Sequence, residues 1–311
     1  MSERKVVFIV GPTASGKTSL SIEIAKRFGG EIISADSMQI YKGIHIASAA
    51  PDEEEKMGIP HYLLEFLETD EAFSVADYVK LARKHIDDIL SRGKLPIVVG
   101  GTGLYINSLL DNTEFLEEET DFSLRQKFED EFNLLGGEKM LQKLAVFDPE
   151  TAMRLHPNNK RRIIRAFEVY EQTGKTITQQ NIDSHKEKTD FSSLVIGITY
   201  SDREILYNRI NKRIDMMLEN GLIEEARQNF SCANNKGAFQ AIGHKEFYGY
   251  FNGEISFDEA KELLCRQTRR YAKRQLTWFR RDQRINWIYP DLSSSPSDEA
   301  KQLVEKFLKE E

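Results

Sequence analysis

The segment Gly11–Thr18 constrains this chain more than any other part of it. It reads Gly-Pro-Thr-Ala-Ser-Gly-Lys-Thr and fits the pattern Gly-x-x-x-x-Gly-Lys-[Ser/Thr] in full. A β-branched apolar run, Val6–Val10, precedes it, and residues 20–28 carry apolar side chains at helical spacing. A strand, a glycine-rich turn and a helix in this order direct backbone N–H groups and a positive helix end at one point, where a phosphate binds.

Each residue of this loop has a predicted part in phosphate binding. The turn around the phosphate is formed by Gly11, Pro12, Thr13, Ala14, Ser15 and Gly16. Lys17 adds a positive charge at the terminal phosphate, and Thr18 adds a hydroxyl oxygen for Mg²⁺. The loop does not identify the phosphate compound, because a kinase, an NTPase and a transferase that releases pyrophosphate all need one.

Strands alternate with helices across the first third of the chain. Runs at Glu31–Ser34 and Leu95–Val99 predict two more strands, and the apolar stripe in Ser74–Leu90 predicts a helix. Val195–Ile198 predicts a strand that rejoins the same sheet. Because parallel strands need crossover helices, the alternation predicts an α/β fold, a P-loop NTPase-like parallel sheet flanked by helices. The remainder of the chain reads as helical and ends in a charged helix.

The composition changes near residue 111. Residues 111–131 hold nine carboxylates against two basic side chains, and a helical pattern continues to about Gly174. A polar stretch, Thr176–Thr189, follows. We therefore predict a mostly helical insertion domain over 114–189, inside a catalytic core formed by 1–113 and 190–311.

Composition excludes several classes of protein. Of the 311 residues 40% are apolar and 30% are charged, which is typical of a globular chain and not of a disordered one. The two cysteines, Cys232 and Cys265, lack the spacing of a zinc site, and so few cysteines suit a reducing compartment. No stretch approaches the roughly 18 apolar residues that a membrane span needs. We expect a cytoplasmic protein with no membrane partner.

The net charge of −7 argues by itself against a nucleic-acid partner. However, residues 266–284 hold eight basic side chains and one acidic side chain, a local charge of +7 that leaves −14 elsewhere. On a single helix these basic side chains would fall within an arc of about 140°. Tyr271 and Trp278 lie at its edge, and Lys160–Arg165 is a second basic cluster. The pattern favours RNA or DNA over the alternative, a solvated helix face paired with the acidic remainder.

Asp36 is the one acid that directly follows an apolar strand near the phosphate loop. The strand ending at Val99 is followed by Gly-Gly-Thr-Gly, without the acid that ordinary P-loop NTPases carry there. Strand ends line the ligand crevice of such a sheet, so Asp36 is predicted beside the loop as a general base. The alternative is an aspartate that caps the following turn.

Together these segments resemble the tRNA dimethylallyltransferase (tRNA isopentenyltransferase) family, of the bacterial type. The likeness covers nearly the whole chain and rests on Gly11–Thr18, Ser34–Tyr41, Gly100–Tyr105, Arg161–Arg165, Arg209–Met217 and Arg269–Trp278. The resemblance implies transfer of a dimethylallyl group from dimethylallyl diphosphate to the N6 amine of adenosine 37, beside the anticodon of tRNA. It further implies release of pyrophosphate, a requirement for Mg²⁺ and a monomeric enzyme.

The resemblance also implies roles for individual residues. Asp36 would accept the proton of the N6 amine, and Arg209 and Arg213 would hold the pyrophosphate beside Lys17 and Thr18. Contacts to tRNA would come from Asp36, Ser37, Met38, Gln39, Thr102, Arg161, Arg162, Ile163, Ile164, Arg165, Arg270, Lys273, Arg274 and Trp278. The insertion over 114–189 would bind the anticodon stem-loop. Taking an adenine to such a site requires flipping it out of the stack.

Three places depart from the family pattern. His45–Pro51 reads His-Ile-Ala-Ser-Ala-Ala-Pro where the family has Asp-Ile-Gly-Thr-Ala-Lys-Pro, Tyr62 replaces a histidine, and His244 replaces a tyrosine. Two other functions stay open on the residues alone, a P-loop small-molecule kinase using ATP and a non-catalytic RNA-binding ATPase. A metabolite kinase has no use for the aligned cations of residues 266–284.

Overall fold

The computed structural model describes residues 4–113, 122–183, 189–231 and 241–310. The chain divides into two compact units, one formed by Met1–Leu110 with Asp190–Glu311 and the other by Asp111–Thr189. Cys232 and the first residues of the predicted insertion, 114–121, lie outside the described residues. The insertion boundaries and the role given to the insertion stay predictions.

The first unit contains a six-stranded sheet with the order β3-β2-β4-β1-β5-β6, in which every pairing is parallel. The strands are β1 Lys5–Val10, β2 Gly30–Ser34, β3 His61–Tyr62, β4 Leu95–Gly100, β5 Ser192–Ile198 and β6 Ile285–Ile288. In register, Phe8 of β1 lies between Val98 of β4 and Val195 of β5. The predicted parallel α/β sheet is therefore confirmed, and the loops after the strands share one edge.

The helices surround this sheet or form the second unit. In chain order they are α1 Lys17–Phe28, α2 His45–Ser48, α3 Glu53–Lys56, α4 Val75–Ser91, α5 Gly103–Leu110, α6 Phe122–Leu135, α7 Gly137–Leu144, α8 Pro149–Arg154, α9 Lys160–Thr173, α10 Ile177–Asp183, α11 Arg203–Glu219, α12 Leu222–Ser231, α13 Tyr248–Phe251, α14 Phe257–Phe279 and α15 Pro296–Lys309. A 3₁₀ turn, Lys245–Phe247, precedes α13. Ser74 begins α4 with a capping box, in which its hydroxyl accepts the N–H of Asp77 and that carboxylate accepts the N–H of Ser74.

Both faces of the sheet are buried. On one face Val7 and Ile9 pack into a cluster with Ile24 of α1 and Val304 of α15. This burial explains why the strands read as continuous apolar runs and not as alternating ones. Burial of one face of α1 likewise explains the helical spacing of its apolar residues.

The last strand, β6, corrects the prediction that everything after residue 198 is helical. It pairs with β5 at the edge of the sheet, where Ile285 and Ile288 are buried and Asn286 between them is exposed. An edge strand of four residues with two buried side chains has too short a pattern to distinguish it from a loop. The short edge strand β3 was missed for the same reason.

The basic segment is also not one helix, because α14 ends at Phe279. Arg280 takes the cap position, and Asp282 then accepts the backbone N–H of Arg284 at 2.9 Å and pairs with its guanidinium at 2.7 Å. This aspartate turn leads directly into β6. Within the basic segment 266–284, the basic residues that lie on α14 are Arg266, Arg269, Arg270, Lys273 and Arg274.

The second unit is helical in its described residues, which contain α6 to α10. Its core brings Phe128, Met140 and Leu144 against Ile163 and Ile164 of α9. Asp148 begins α8 by accepting the N–H of Thr151 at 3.1 Å, and its other oxygen accepts the N–H of Thr178 at 3.2 Å. This carboxylate therefore joins the first turns of α8 and α10.

Candidate functional site

The loops that follow β1 and β2, together with the end of β4, line one cavity of about 330 Å³ at the shared edge of the sheet. Side chains from α11 and α14 complete its wall. The cavity lining includes Thr13, Lys17, Thr18, Asp36, Ser37, Met38, Gln39, Arg213, Tyr271, Arg274 and Gln275. The structure thus brings together residues that the sequence predicted from four separate segments.

The phosphate loop has the backbone that its glycines permit. Gly11 has φ +150°, and a Cβ there would lie 2.3 Å from the carbonyl oxygen of Ile198, so no side chain fits. Gly16, with φ +102°, precedes α1 and has no side chain to cap that helix. The Oγ of Ser15 is buried without a hydrogen-bond partner among the described residues. This hydroxyl and the first backbone N–H groups of α1, which have no partner within the helix, are donors that suit an anion.

One N–H of the loop is directed elsewhere. The backbone N–H of Thr13 donates to Oε1 of Gln275 on α14 at 2.9 Å. The sequence prediction gave Thr13 a place in the phosphate cradle, but this N–H serves to attach the loop to α14.

Lys17 lies at the centre of the site. Its Nζ donates to the carbonyl oxygen of Pro12 at 2.7 Å. Burial lowers the pKa of Lys17 to about 7, the carboxylate of Asp36 acts against this shift, and the guanidinium of Arg213 adds to it. The protonated form of Lys17 therefore needs a further negative charge nearby, which a diphosphate would supply.

Asp36 caps a turn, as one of its two predicted roles requires, and also lines the cavity. Its Oδ1 accepts the N–H of Met38 at 2.9 Å and so caps the turn after β2. The same carboxylate lines the cavity and interacts electrostatically with Lys17 and Arg213. Next to it, the N–H of Ser37 donates to Oγ1 of Thr102 at 3.0 Å, which joins this turn to the loop after β4.

The Gln39 side chain makes hydrogen bonds within the protein. Its Oε1 accepts the hydroxyl of Ser34 at 2.9 Å, and its Nε2 donates to the carbonyl oxygen of Ala49 at 3.1 Å. Gln39 thereby holds the end of α2 at the cavity wall. Met38, predicted like Gln39 to contact RNA, lines the cavity and packs beside Ile40.

Two arginines of α11 approach the phosphate loop. Arg213 donates to Oγ1 of Thr13 at 3.3 Å, and Arg209 donates through Nε to the carbonyl oxygen of Ala14 at 2.9 Å. Burial lowers the pKa of Arg213, and the carboxylates of Asp36 and Glu55 act against that shift. An adjoining cavity of about 510 Å³ is lined by both arginines together with Lys17 and Thr18. This side of the loop is strongly cationic.

The exposed face of α14 carries three predicted RNA contacts, Arg270, Lys273 and Arg274. Trp278 is 37% exposed, and its Nε1 donates to Oδ1 of Asn107 at 3.1 Å. A Cβ on Gly103 would lie 2.2 Å from the Trp278 ring, so this tryptophan packs on the first turn of α5. The Trp278 ring is therefore packed against neighbouring residues on one side and partly exposed to solvent.

Within the second unit, α9 separates the predicted RNA contacts into two groups. Arg161, Arg162 and Arg165 are exposed. Ile163 is 0% exposed and Ile164 1% exposed, so these two side chains pack in the core and are not available to RNA. The prediction took the whole cluster as one surface, whereas the helical period places the two isoleucines on the opposite face.

Residues from two of the three departures from the family pattern contact the same side chain, Glu225. Glu225 of α12 accepts the N–H groups of Ile46 and Ala47 at 2.7 and 2.9 Å, and it contacts Nε2 of the fully buried His244 at 2.8 Å. Tyr62 lies elsewhere, where its hydroxyl donates to Glu31 at 2.7 Å. These changed residues therefore hold parts of the fold, and none is a proposed catalytic group.

Sequence reasoning missed Gln275, Glu225 and the half-buried position of Tyr271 in the cavity wall. Burial raises the pKa of the Tyr271 hydroxyl, and Asp36 raises it further. A signal existed for Gln275, because it stands three residues after Ala272 and four before Phe279, on the apolar face of α14. A polar residue on such a face indicates a buried hydrogen bond.

In the described residues no group of three or more His, Cys, Asp or Glu side chains is arranged to hold a metal ion. The described helices also include none that is long and apolar enough to cross a membrane.

Comparisons with known proteins agree on one family. A family model described as IPP transferase matches residues 39–282. The tRNA dimethylallyltransferase of Acetivibrio thermocellus is 54% identical over 92% of this chain and 92% of its own length. The tRNA dimethylallyltransferase of Bacillus subtilis is 45% identical, over 92% of this chain and 91% of its own.

Solved structures extend this agreement to the fold. The tRNA isopentenylpyrophosphate transferase of Bacillus halodurans is 40% identical with a TM-score of 0.73, over 99% of this chain and 97% of its own. A eukaryotic dimethylallyltransferase, described as acting on tRNA, is 31% identical with a TM-score of 0.82, over 97% of this chain and 78% of its own. The chain belongs to the IPP transferase family.

Proposed function

We propose that this protein transfers a dimethylallyl group from dimethylallyl diphosphate to the N6 amine of adenosine 37 in tRNA and releases pyrophosphate. One observation carries the proposal, the convergence of the phosphate loop, Asp36 and Arg213 on a single cavity. The names of the relatives support the same reaction, since those proteins are tRNA dimethylallyltransferases.

In the proposed reaction, the N6 lone pair forms a bond to C1 of the prenyl group while the bond between C1 and the diphosphate oxygen breaks. The bonding electron pair leaves with the pyrophosphate, and the N6 proton passes to the carboxylate of Asp36. Stabilising the departing anion is the larger task. The loop N–H groups, Lys17, Arg209 and Arg213 are the groups of this chain that would perform it.

Mg²⁺ fits the residues present. It keeps several waters and is held by few protein oxygens together with substrate phosphates, so it needs no cluster of carboxylates. Thr18 lines both cavities beside Lys17 and would hold the ion with its hydroxyl. The ion would add positive charge beside the diphosphate.

The acceptor side of the proposal assigns tRNA binding to two surfaces. Arg270, Lys273 and Arg274 of α14 would bind backbone phosphates near the cavity, and the arginines of α9 in the insertion domain would bind the anticodon stem-loop. Ser37 and Thr102, which are hydrogen-bonded to each other, would contact the flipped-out nucleoside. We further propose that the enzyme acts as a monomer in the cytoplasm, where tRNA is modified.

The proposal is tested by incubating the protein with unmodified tRNA, Mg²⁺ and dimethylallyl diphosphate labelled in the prenyl group. We expect label in tRNA and one pyrophosphate released for each prenyl group transferred. A parallel reaction with ATP replacing the donor should show no hydrolysis that depends on tRNA. Absence of label in tRNA, with ATP consumed instead, would favour the kinase or ATPase function.

A further inference from the structure

Gln275 of α14 makes hydrogen bonds to two loops of the cavity at once. Its Oε1 accepts the backbone N–H of Thr13 in the phosphate loop at 2.9 Å. Its Nε2 donates to the carbonyl oxygen of Gly101, in the loop after β4, at 3.0 Å. The side chain is only 5% exposed.

The Gln275 side chain approaches the backbone of the second loop closely. A Cβ on Gly101 would lie 2.1 Å from Nε2 of Gln275. On the other side of that loop, a Cβ on Gly100 would lie 2.1 Å from the carbonyl oxygen of Ala35. The backbone from Gly100 to Gly101 is therefore held between α14 and the loop that carries Asp36.

The two loops have different chemical tasks in the proposed reaction. The phosphate loop would bind the donor, and Thr13 also accepts a hydrogen bond from Arg213 through its hydroxyl. The loop after β4 provides Thr102, which accepts the N–H of Ser37 beside Asp36. The relative position of these loops sets the distance between prenyl C1 and the attacking amine.

We propose that Gln275 is a positioning residue for prenyl transfer. It fixes the phosphate loop relative to the loop after β4, and it lies on α14, the helix that also carries the basic residues. This inference rests on the proposed function. A primary amide suits the position, because it is neutral and offers one acceptor and one donor to two fixed backbone groups. Loss of either bond leaves a buried polar group unpaired.

The test compares the full-length wild type with Gln275→Met and Thr277→Ala. Methionine keeps the length and neutrality of the side chain but makes neither hydrogen bond. Thr277 is exposed on the same helix, and its hydroxyl bonds only to the carbonyl oxygen of Lys273 at 2.8 Å, so it is a matched control. We measure kcat and KM for both substrates, thermal unfolding, and binding of tRNA alone.

For Gln275→Met we expect kcat to fall about 10- to 100-fold, because misplacement by about 1 Å costs such factors. Its tRNA affinity should stay within about threefold, and Thr277→Ala should match the wild type. A folded Gln275→Met enzyme with kcat within about twofold of the wild type overturns the positioning role. If Gln275→Met does not fold, Gln275→Glu is measured with the same criteria, since it keeps the acceptor and loses the donor. An inactive wild type would instead refute the proposed function itself.

Discussion

Asp36 caps a turn and is also the proposed general base, and one substitution separates these two roles. Its Oδ1 caps the turn by accepting the N–H of Met38, and its carboxylate faces the cavity as the proposed base. Asp36→Asn keeps an oxygen for the cap but removes the proton acceptor. We expect transfer to fall by about 10²- to 10⁴-fold with tRNA affinity unchanged, measured by label transfer and filter binding. Asp36→Ala, which also loses the cap, is the comparison, and wild-type turnover by Asp36→Asn would exclude the base role.

We expect the binding of a diphosphate to depend on pH through Lys17. With a pKa of about 7 in the free protein, the side chain is largely neutral at pH 8 and is charged below pH 7. A bound diphosphate favours the charged form, so binding above pH 7 should take up a proton and weaken as the pH rises. Calorimetry of pyrophosphate binding in buffers of different ionisation enthalpy measures this uptake. Lys17→Arg, which stays charged, should lack that share of the uptake; equal uptake by both proteins would contradict the assignment.

At the scale of elements, α14 ends five residues before the basic segment does. Lys273→Ala on the helix should weaken tRNA binding and lower the slope of log Kd against log salt by about one. Arg284→Ala is the control, because Arg284 lies beyond the helix and pairs with Asp282. We expect a smaller effect from it. Equal effects of the two substitutions would mean that the whole segment binds RNA as one surface.

The junction of β2, β3 and α4 is held by one buried carboxylate. Glu31 is 1% exposed and pairs with Arg92 and Lys94 at 2.6 Å, while Tyr62 donates to it at 2.7 Å. The hydrogen bonds from Arg92 lead in lowering the pKa of Glu31, to about 2. A carboxyl whose pKa falls on folding adds stability above its ordinary pKa, and that stability is lost as the pH falls toward 2.

We therefore expect Glu31→Gln to lower the free energy of unfolding at pH 7 by about 2 to 3 kcal/mol in urea titrations. The difference from the wild type should shrink as the pH falls from about 4.5 toward 2. Glu305→Gln, at an exposed ion pair with Lys309, should leave the stability close to that of the wild type. A difference for Glu31→Gln that does not change with pH would show that the carboxylate charge contributes nothing.

The elements differ in how far the sequence predicts them. β1, β2 and β4 were predictable, because burial on both faces requires continuous apolar residues. β3 and β6 were not, since a short edge strand needs few apolar side chains. The end of α14 is set by the turn at Asp282, which the helical charge pattern does not reveal. The apolar face of α14 indicates that Gln275 is buried, but its two hydrogen-bond partners lie in loops distant in sequence, and no local pattern identifies them.

At the scale of the whole molecule, the net charge of −7 conceals its distribution. The cationic residues gather on α11 and α14 around the cavity and on α9 in the second unit, while the acidic excess lies elsewhere. The motifs predicted part of the cavity lining without the structure, including Lys17, Asp36 and Arg213. Their division into groups that bind substrates and groups that position the loops required the contacts.

The most direct test of the account uses two tRNAs that differ only in adenosine 37, one natural and one with guanosine there. Each is incubated with the enzyme, Mg²⁺ and dimethylallyl diphosphate, and the nucleosides are then separated and identified by mass. The account predicts N6-dimethylallyladenosine at position 37 of the first tRNA and no prenylated nucleoside in the second. Prenyl transfer to both tRNAs, or to neither, would contradict it.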